Sequence, residues 1–253
     1  MLQNVKQYLK SGETPLSRTL YRLAFNLMHF EVPVYKPVAK MLLNLHLLIS
    51  NGLANLVRVL YWTPLFKARL EGDAKQLYLY GGMPYISGPL RISIGERTRM
   101  SGQTTFSGRT AVRSDGQQPT LQIGSNVDIG WQTTIAVGTQ VVIGDNVRLA
   151  GRAFLAGYPG HPIDAKDRAD GKPDHDHQSG DIILEDDVWL ATGVSVMGGV
   201  RIGRGTIVAA ESVVTSDLPP GVLAGGIPAK VIKTLETAPS AAKAVKGDSS
   251  GVE

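Results

Sequence analysis

"LEDDVWLATGVSVMGGVRIGRGTIVAAESVV", residues 184–214, repeats itself every six residues, and that period decides the fold. Leu184, Leu190, Val196, Ile202, Val208 and Val214 stand six apart. Four places after the first five come Val188, Val194, Val200, Thr206 and Ser212, all small or β-branched. "IGRGTI" shows the unit: aliphatic, small, two variable, small or β-branched, variable. Such a period suits neither an amphipathic helix, which needs 3.6, nor a long alternating strand. It suits a short strand and a corner, repeated. Three units make one triangular turn with the aliphatic residue pointing inward on each side. Stacked turns then bury a continuous aliphatic column, and each strand hydrogen-bonds to those above and below it.

The same unit runs upstream as Ile94, Met100, Phe106, then Ile123, Ile129, Ile135, then Ile143, Leu149, Leu155. The offsets between these blocks mark loops, and residues 91–235 are expected to form the solenoid. Residues 71–90 read as a strand-and-turn transition into it. "VRSDGQQPT", residues 112–120, is a turn-rich connection, and residues 157–181 are the largest excursion. "TSDLPPGVLAGGIPAKVIKTLE" closes the repeat, with a short terminal helix expected over the last coil. The tail 236–253 is poor in aliphatics and is expected to be disordered. Residues 1–70 carry apolar residues at three- and four-residue spacing, punctuated by Pro33 and Pro37, and read as helical.

The chain has 253 residues and no cysteine, which excludes disulfides, thiolate metal sites and a cysteine nucleophile. Its net charge of +4 favours anionic ligands but is too weak to argue for nucleic acid. The first residues lack the apolar run of a signal peptide. Residues 38–62 are apolar but include Lys40, Asn44, His46, Asn51, Asn55 and Arg58, so they read as an amphipathic helix, buried or interfacial, rather than a span.

"GYPGHPIDAKDRADGKPDHDHQSGD", residues 157–181, holds three of the five histidines. A long loop on a rigid solenoid is the usual place for function. In one reading His161 is a general base, since imidazole accepts a proton near neutral pH. In another, His161, His175 and His177 form a three-histidine metal site. A third reading leaves His175 and His177 in a solvated polar loop, and no metal is expected.

The hexapeptide pattern resembles that of the hexapeptide-repeat acyltransferases. "GHPIDAKDR", residues 160–168, is similar to the "THPLDPEER" stretch of maltose and galactoside acetyltransferases. The resemblance implies a left-handed parallel β-helix, with the N-terminal α-helical region appended, and His161 as catalytic base. Residues 184–233 resemble the family's C-terminal block. That block implies acetyl-CoA contacts near Thr192, Ala210, Thr215 and Ser216, with Lys230 and Lys233 meeting the coenzyme phosphates. Trp189 stands where the family has a tryptophan by the active site, or packs on a neighbouring subunit. Asp164 and Gln132 complete the candidate acceptor contacts. Gln132 departs from the family, which has asparagine there, and the basic helical region replaces the family's N-terminal segment.

The resulting expectation is a coenzyme A-dependent O-acetyltransferase acting on a saccharide hydroxyl. It is expected to be a cytoplasmic homotrimer, with peripheral contact at the inner membrane face through residues 1–70. The alternatives are an N-acyltransferase on an amino sugar, a nonenzymatic solenoid scaffold, and a metal enzyme like the gamma carbonic anhydrases.

Overall fold

The computed structural model describes residues 2–111, 114 and 116–235. The tail 236–253, expected to be disordered, and Val112, Arg113 and Asp115 of the turn-rich connection lie outside the described residues. The chain forms two compact units, Met1–Gly52 and Leu53–Glu253.

The second unit is dominated by three sheets of eight, six and five strands, parallel except for the last pair of the eight-stranded sheet. From Tyr78 to Val222 the chain passes through the eight-, six- and five-stranded sheets in fixed rotation, Leu218 standing in for the last strand by an isolated bridge to Ile202. Strand register stacks each aliphatic residue on its equivalent one coil away. Leu79, Met100, Ile129, Leu149, Leu190, Val208 and Ala224 form one column. Ile86, Phe106, Ile135, Leu155, Val196 and Val214 form the second. Ile94, Ile123, Ile143, Leu184 and Ile202 form the third. Every residue of the six-residue pattern is buried in one core, and Thr98, Thr206 and Ser212 fill the small inward positions.

Two of the three corners turn through the left-handed region three residues after the aliphatic one. Arg97, Asn126, Asn146 and Asp187 do so at one corner, and Gln132, Arg152 and Glu211 at the next, with φ between 55° and 64°. Non-glycine residues rarely adopt this conformation, and Asn and Asp tolerate it best. Their side chains form a ladder along the first corner. The Asn126 amide donates to Asn146 at 2.8 Å, and the Asn146 amide donates to Asp187 at 3.0 Å.

Residues 71–90 are already part of the solenoid. Tyr78–Tyr80 and Tyr85–Ser87 pair with the next coil, and Glu71 bridges Ser93. At the other end the expected terminal helix is a correction: Val222–Gly226 and Ala229–Thr234 form an antiparallel hairpin turning at a cis Ile227–Pro228 bond. Pro228 and the β-branched Val231, Ile232 and Thr234 favour a turn and strand over a helix.

Residues 1–52 are helical throughout their ordered elements. Helix α1 is Leu2–Ser11 and α2 is Pro15–Met28, while α3, Lys36–Val57, continues beyond this unit. Thr14 caps α2 through a reciprocal box with Ser17, whose side chain is buried. A π-helical turn, Arg58–Trp62, then leads from α3 into α4, Thr63–Lys67.

Truncating one member of a column leaves a void that close-packed neighbours cannot refill. Leu190→Ala should destabilise the solenoid by about 2–5 kcal/mol, read as a lowered thermal midpoint. An unchanged midpoint would show that the columns do not carry the fold.

Candidate active site

The third corner, from the six- to the five-stranded sheet, carries both long excursions. Residues 109–119 leave it in the second coil and 157–181 in the fourth. The coil between them turns tightly at Gly138, where a Cβ would run into the Gly157 carbonyl and the Ser179 side chain.

A buried arginine joins the two excursions. Arg109 Nε donates to Asp174 Oδ2 at 2.9 Å, Nη2 to the Asp174 carbonyl at 2.5 Å, and Nη1 to Asp176 Oδ1 at 2.6 Å. The Arg109 and Asp174 side chains are 2% and 4% exposed, so both charges are withdrawn from water and need each other. Burial opposes the arginine's charge, but its bonds to Asp176 and Asp174 prevail and raise its pKa. Hydrogen bonds from Arg109 and then from Ser114 hold the Asp176 carboxyl well below the usual carboxylate range. Tyr158 adds a further tie, its hydroxyl 2.6 Å from Ser107 Oγ.

The loop is also braced within itself. Asp164 Oδ1 accepts from the Lys166 and Asp167 amides at 2.9 Å and caps a short helix, α5, Ala165–Ala169. Arg168 donates to the Pro162 and Ile163 carbonyls. Lys172 bonds Asp167 at 2.7 Å and, ahead of a weaker contribution from His175, lowers that carboxyl's pKa. Gln178 donates to the His161 carbonyl at 3.4 Å and accepts from the His175 amide at 2.9 Å. The backbone of His161 is thereby held while its side chain stays exposed; among the described residues its imidazole has no hydrogen-bonding or ionic partner.

The loop borders an open cleft of about 410 Å³, lined by Tyr158, Pro159, His177, Gln178, Met197 and Gly199 among others; His161 does not line it and is tied to it through Gln178. The His175 and His177 rings stack with centroids 5.5 Å apart, and His175 Nε2 is 3.8 Å from Asp167. Among the described residues no group of three or more His, Asp or Glu is arranged to hold a metal.

The expected site residues are distributed over different parts of the solenoid. His161 and Asp164 lie on the third-corner loop, and Thr215 and Ser216 follow the last strand of the six-stranded sheet at that same corner. Gln132, Thr192 and Ala210 lie at the corner between the eight- and six-stranded sheets. Trp189 projects, 47% exposed, from the eight-stranded sheet, and Lys230 and Lys233 are on the terminal hairpin joined to it. One chain therefore does not bring His161 and Gln132 together. Sequence reasoning missed Arg109, Asp174, Asp176 and Tyr158. An arginine at the root of one excursion, with an acidic cluster in the other, was the available signal.

Arg109→Met leaves Asp174 buried without its counter-charge, which should cost about 3–5 kcal/mol and speed amide exchange across residues 157–181. Unchanged protection would contradict the clamp. Because Asp176 ionises at lower pH when folded, its contribution is complete above the unfolded carboxylate value of about 3.9. It is lost as pH falls through the depressed folded value. Proteolysis of the loop should thus stay slow at mildly acidic pH and quicken only in strong acid.

The family model for bacterial transferase hexapeptide (six repeats) matches residues 181–216. The galactoside O-acetyltransferase of Escherichia coli is 35% identical over 115 residues, 46% of this chain and 54% of that protein. The 2,3,4,5-tetrahydropyridine-2,6-dicarboxylate N-acetyltransferase of Clostridium perfringens is 48% identical over 54 residues, 21% of this chain and 23% of that protein. The chain spans about half the length of the galactoside O-acetyltransferase and of two putative yeast acetyltransferases, and 89% of the putative acetyltransferase YvoF of Bacillus subtilis at 26% identity. In fold it is similar to AntD, an N-acyltransferase from Bacillus cereus solved with dTDP and coenzyme A. The TM-score is 0.55 at 21% identity, covering 69% of this chain and 89% of that one. The chain thus resembles the hexapeptide-repeat acetyltransferases, and its most regular coils are matched by that family's own repeat.

Proposed function

We propose that this chain is a coenzyme A-dependent O-acyltransferase that moves an acetyl group from acetyl-CoA to a saccharide hydroxyl, on a left-handed β-helix. The observation that carries the reading is the clamped loop. It holds the backbone of an exposed histidine, and Gln178, which binds the His161 carbonyl, lines an open cleft on the same loop. A solvated loop with no role would not need two buried, mutually dependent charges to anchor it.

The residues present fit such a donor. Among the described residues Val213–Val214 is the end strand of its sheet, and its outer edge would pair with the amides of a long thioester arm leading to Thr215 and Ser216. Lys230 and Lys233 are exposed and suited to phosphates. Thr192 and Ala210 line the adjacent corner. Acetyl-CoA supplies an acyl thioester whose carbonyl carbon receives the acceptor oxygen. An imidazole nitrogen of His161 takes the hydroxyl proton as that bond forms, and returns it to the departing sulfur as the C–S bond breaks. Gln132 and Trp189 position the acceptor.

Because His161 and Gln132 stand at different corners, the site is completed by a neighbouring chain, and the working form is a homotrimer. The likeness to an N-acetyltransferase supports a second reading, transfer to an amine such as that of an amino sugar, which the same base would serve.

His161→Ala should lower turnover by about 100- to 10,000-fold, followed by thiol release, with coenzyme binding retained; undiminished turnover would remove His161 from the mechanism. A Gln132→Ala chain should also be weakened. Co-refolding equal amounts of the two variants should then give about one quarter of sites with both residues intact in random trimers, and activity above the mean of the separate variants. No restoration would place both residues in one chain's site.

A further inference from the structure

Helix α3 presents an exposed apolar face. None of its side chains is buried, and Val38, Leu42, Leu45, Ile49, Leu53 and Leu56 are 45–60% exposed. At about 100° per residue these six fall within an arc of about 80°. Lys40, Asn44, Asn51 and Asn55 fall within about 60° on the opposite side. The next residue of that polar stripe, Arg58, is engaged by the Tyr78 ring, 4.4 Å from its centroid.

Three occupants compete for the apolar face: a second copy of the chain, the interior of a bilayer that the helix spans, and the surface of a bilayer. The helical segment Lys36–Lys67 is long and apolar enough to cross a membrane by length and composition. A spanning helix, however, would carry the stripe of Lys40 and three asparagines through the hydrocarbon, whereas a helix lying in the interface keeps it among headgroups. Charge argues against a second copy. Residues 32–70 contain no Asp or Glu, and residues 1–70 carry nine Lys or Arg against two Glu, whereas residues 71–253 carry seventeen against twenty. Two such segments would repel each other and have no carboxylates to exchange, while anionic headgroups complement them.

We infer that α3 lies in the plane of an anionic membrane surface. Its Val38–Leu56 face enters the acyl boundary and Lys36 and Lys40 meet lipid phosphates. This inference stands apart from the acyltransferase reading and is tested without an activity assay.

The test is flotation of the full-length chain with vesicles of phosphatidylcholine alone and of phosphatidylcholine mixed with phosphatidylglycerol. Expected is binding to the mixed vesicles at low salt, release at high salt, and weak binding to phosphatidylcholine alone. Lys36→Gln with Lys40→Gln should lower partition about 25-fold, since a cation near an anionic surface is worth about fivefold. Leu45→Glu with Ile49→Glu should abolish binding, with the thermal midpoint checked to show that the chain still folds. The wild-type comparison of the two vesicle types decides even where a variant does not fold. Absence of flotation with mixed vesicles would overturn the inference. Equal, salt-insensitive binding to both vesicle types that resists carbonate extraction would replace it with a spanning helix. Self-association without vesicle binding would replace it with a second copy.

Discussion

Everything in this molecule depends on strand register. Each coil lays Leu, Ile, Val, Met or Phe directly over its counterpart in the coil before, so the interior is three parallel columns with no room for drift. A one-residue slip in any strand would turn its inward residue to solvent. Additional residues are therefore admitted only at corners. Two corners are committed to left-handed turns, with side-chain ladders such as Asn126–Asn146–Asp187 joining successive coils. The third takes that turn three residues after the aliphatic one only at Gly199, and both excursions leave from it. The register of the core thus determines where a functional loop is allowed to be.

What keeps that loop in one place is a different interaction. Arg109 and Asp174 are both buried, and burying either alone would be strongly unfavourable. The pair therefore specifies one docked arrangement of residues 157–181 against the base of 109–119. Asp164, Arg168, Lys172 and Gln178 carry that constraint through the loop to the backbone at His161. The imidazole itself is left exposed and unpartnered among the described residues, which suits a group that meets its proton donor only when an acceptor arrives.

The solenoid was legible in the sequence because its physics is local and periodic: an inward aliphatic every six residues is visible without knowing what it packs on. Where the period slips, legibility ends. Leu79 and Ile86 are seven apart and Ile86 and Ile94 eight, so the first coil was hidden in a region read as a transition. The terminal hairpin was mistaken for a helix although Pro228 and its β-branched successors point to a turn and strand. The clamp was invisible for a deeper reason. Asp174 and Asp176 look like parts of a solvated "DHDH" stretch until Arg109, 65 residues earlier than Asp174, is brought against them. Long-range pairing of charges leaves no periodic trace, and the division of His161 and Gln132 between two corners likewise emerges only once the coils are stacked.

A stable column, an excursion from its third corner and a buried ion pair together hold the backbone of one histidine on a loop that borders a cleft. The most direct measurement of this account is thiol release from acetyl-CoA by the purified full-length chain across a panel of saccharide acceptors, with the product tested for cleavage by hydroxylamine. The account predicts release that depends on the acceptor and yields a hydroxylamine-labile ester. Acceptor-independent release, or none with any acyl thioester and any hydroxyl or amine acceptor, would contradict it.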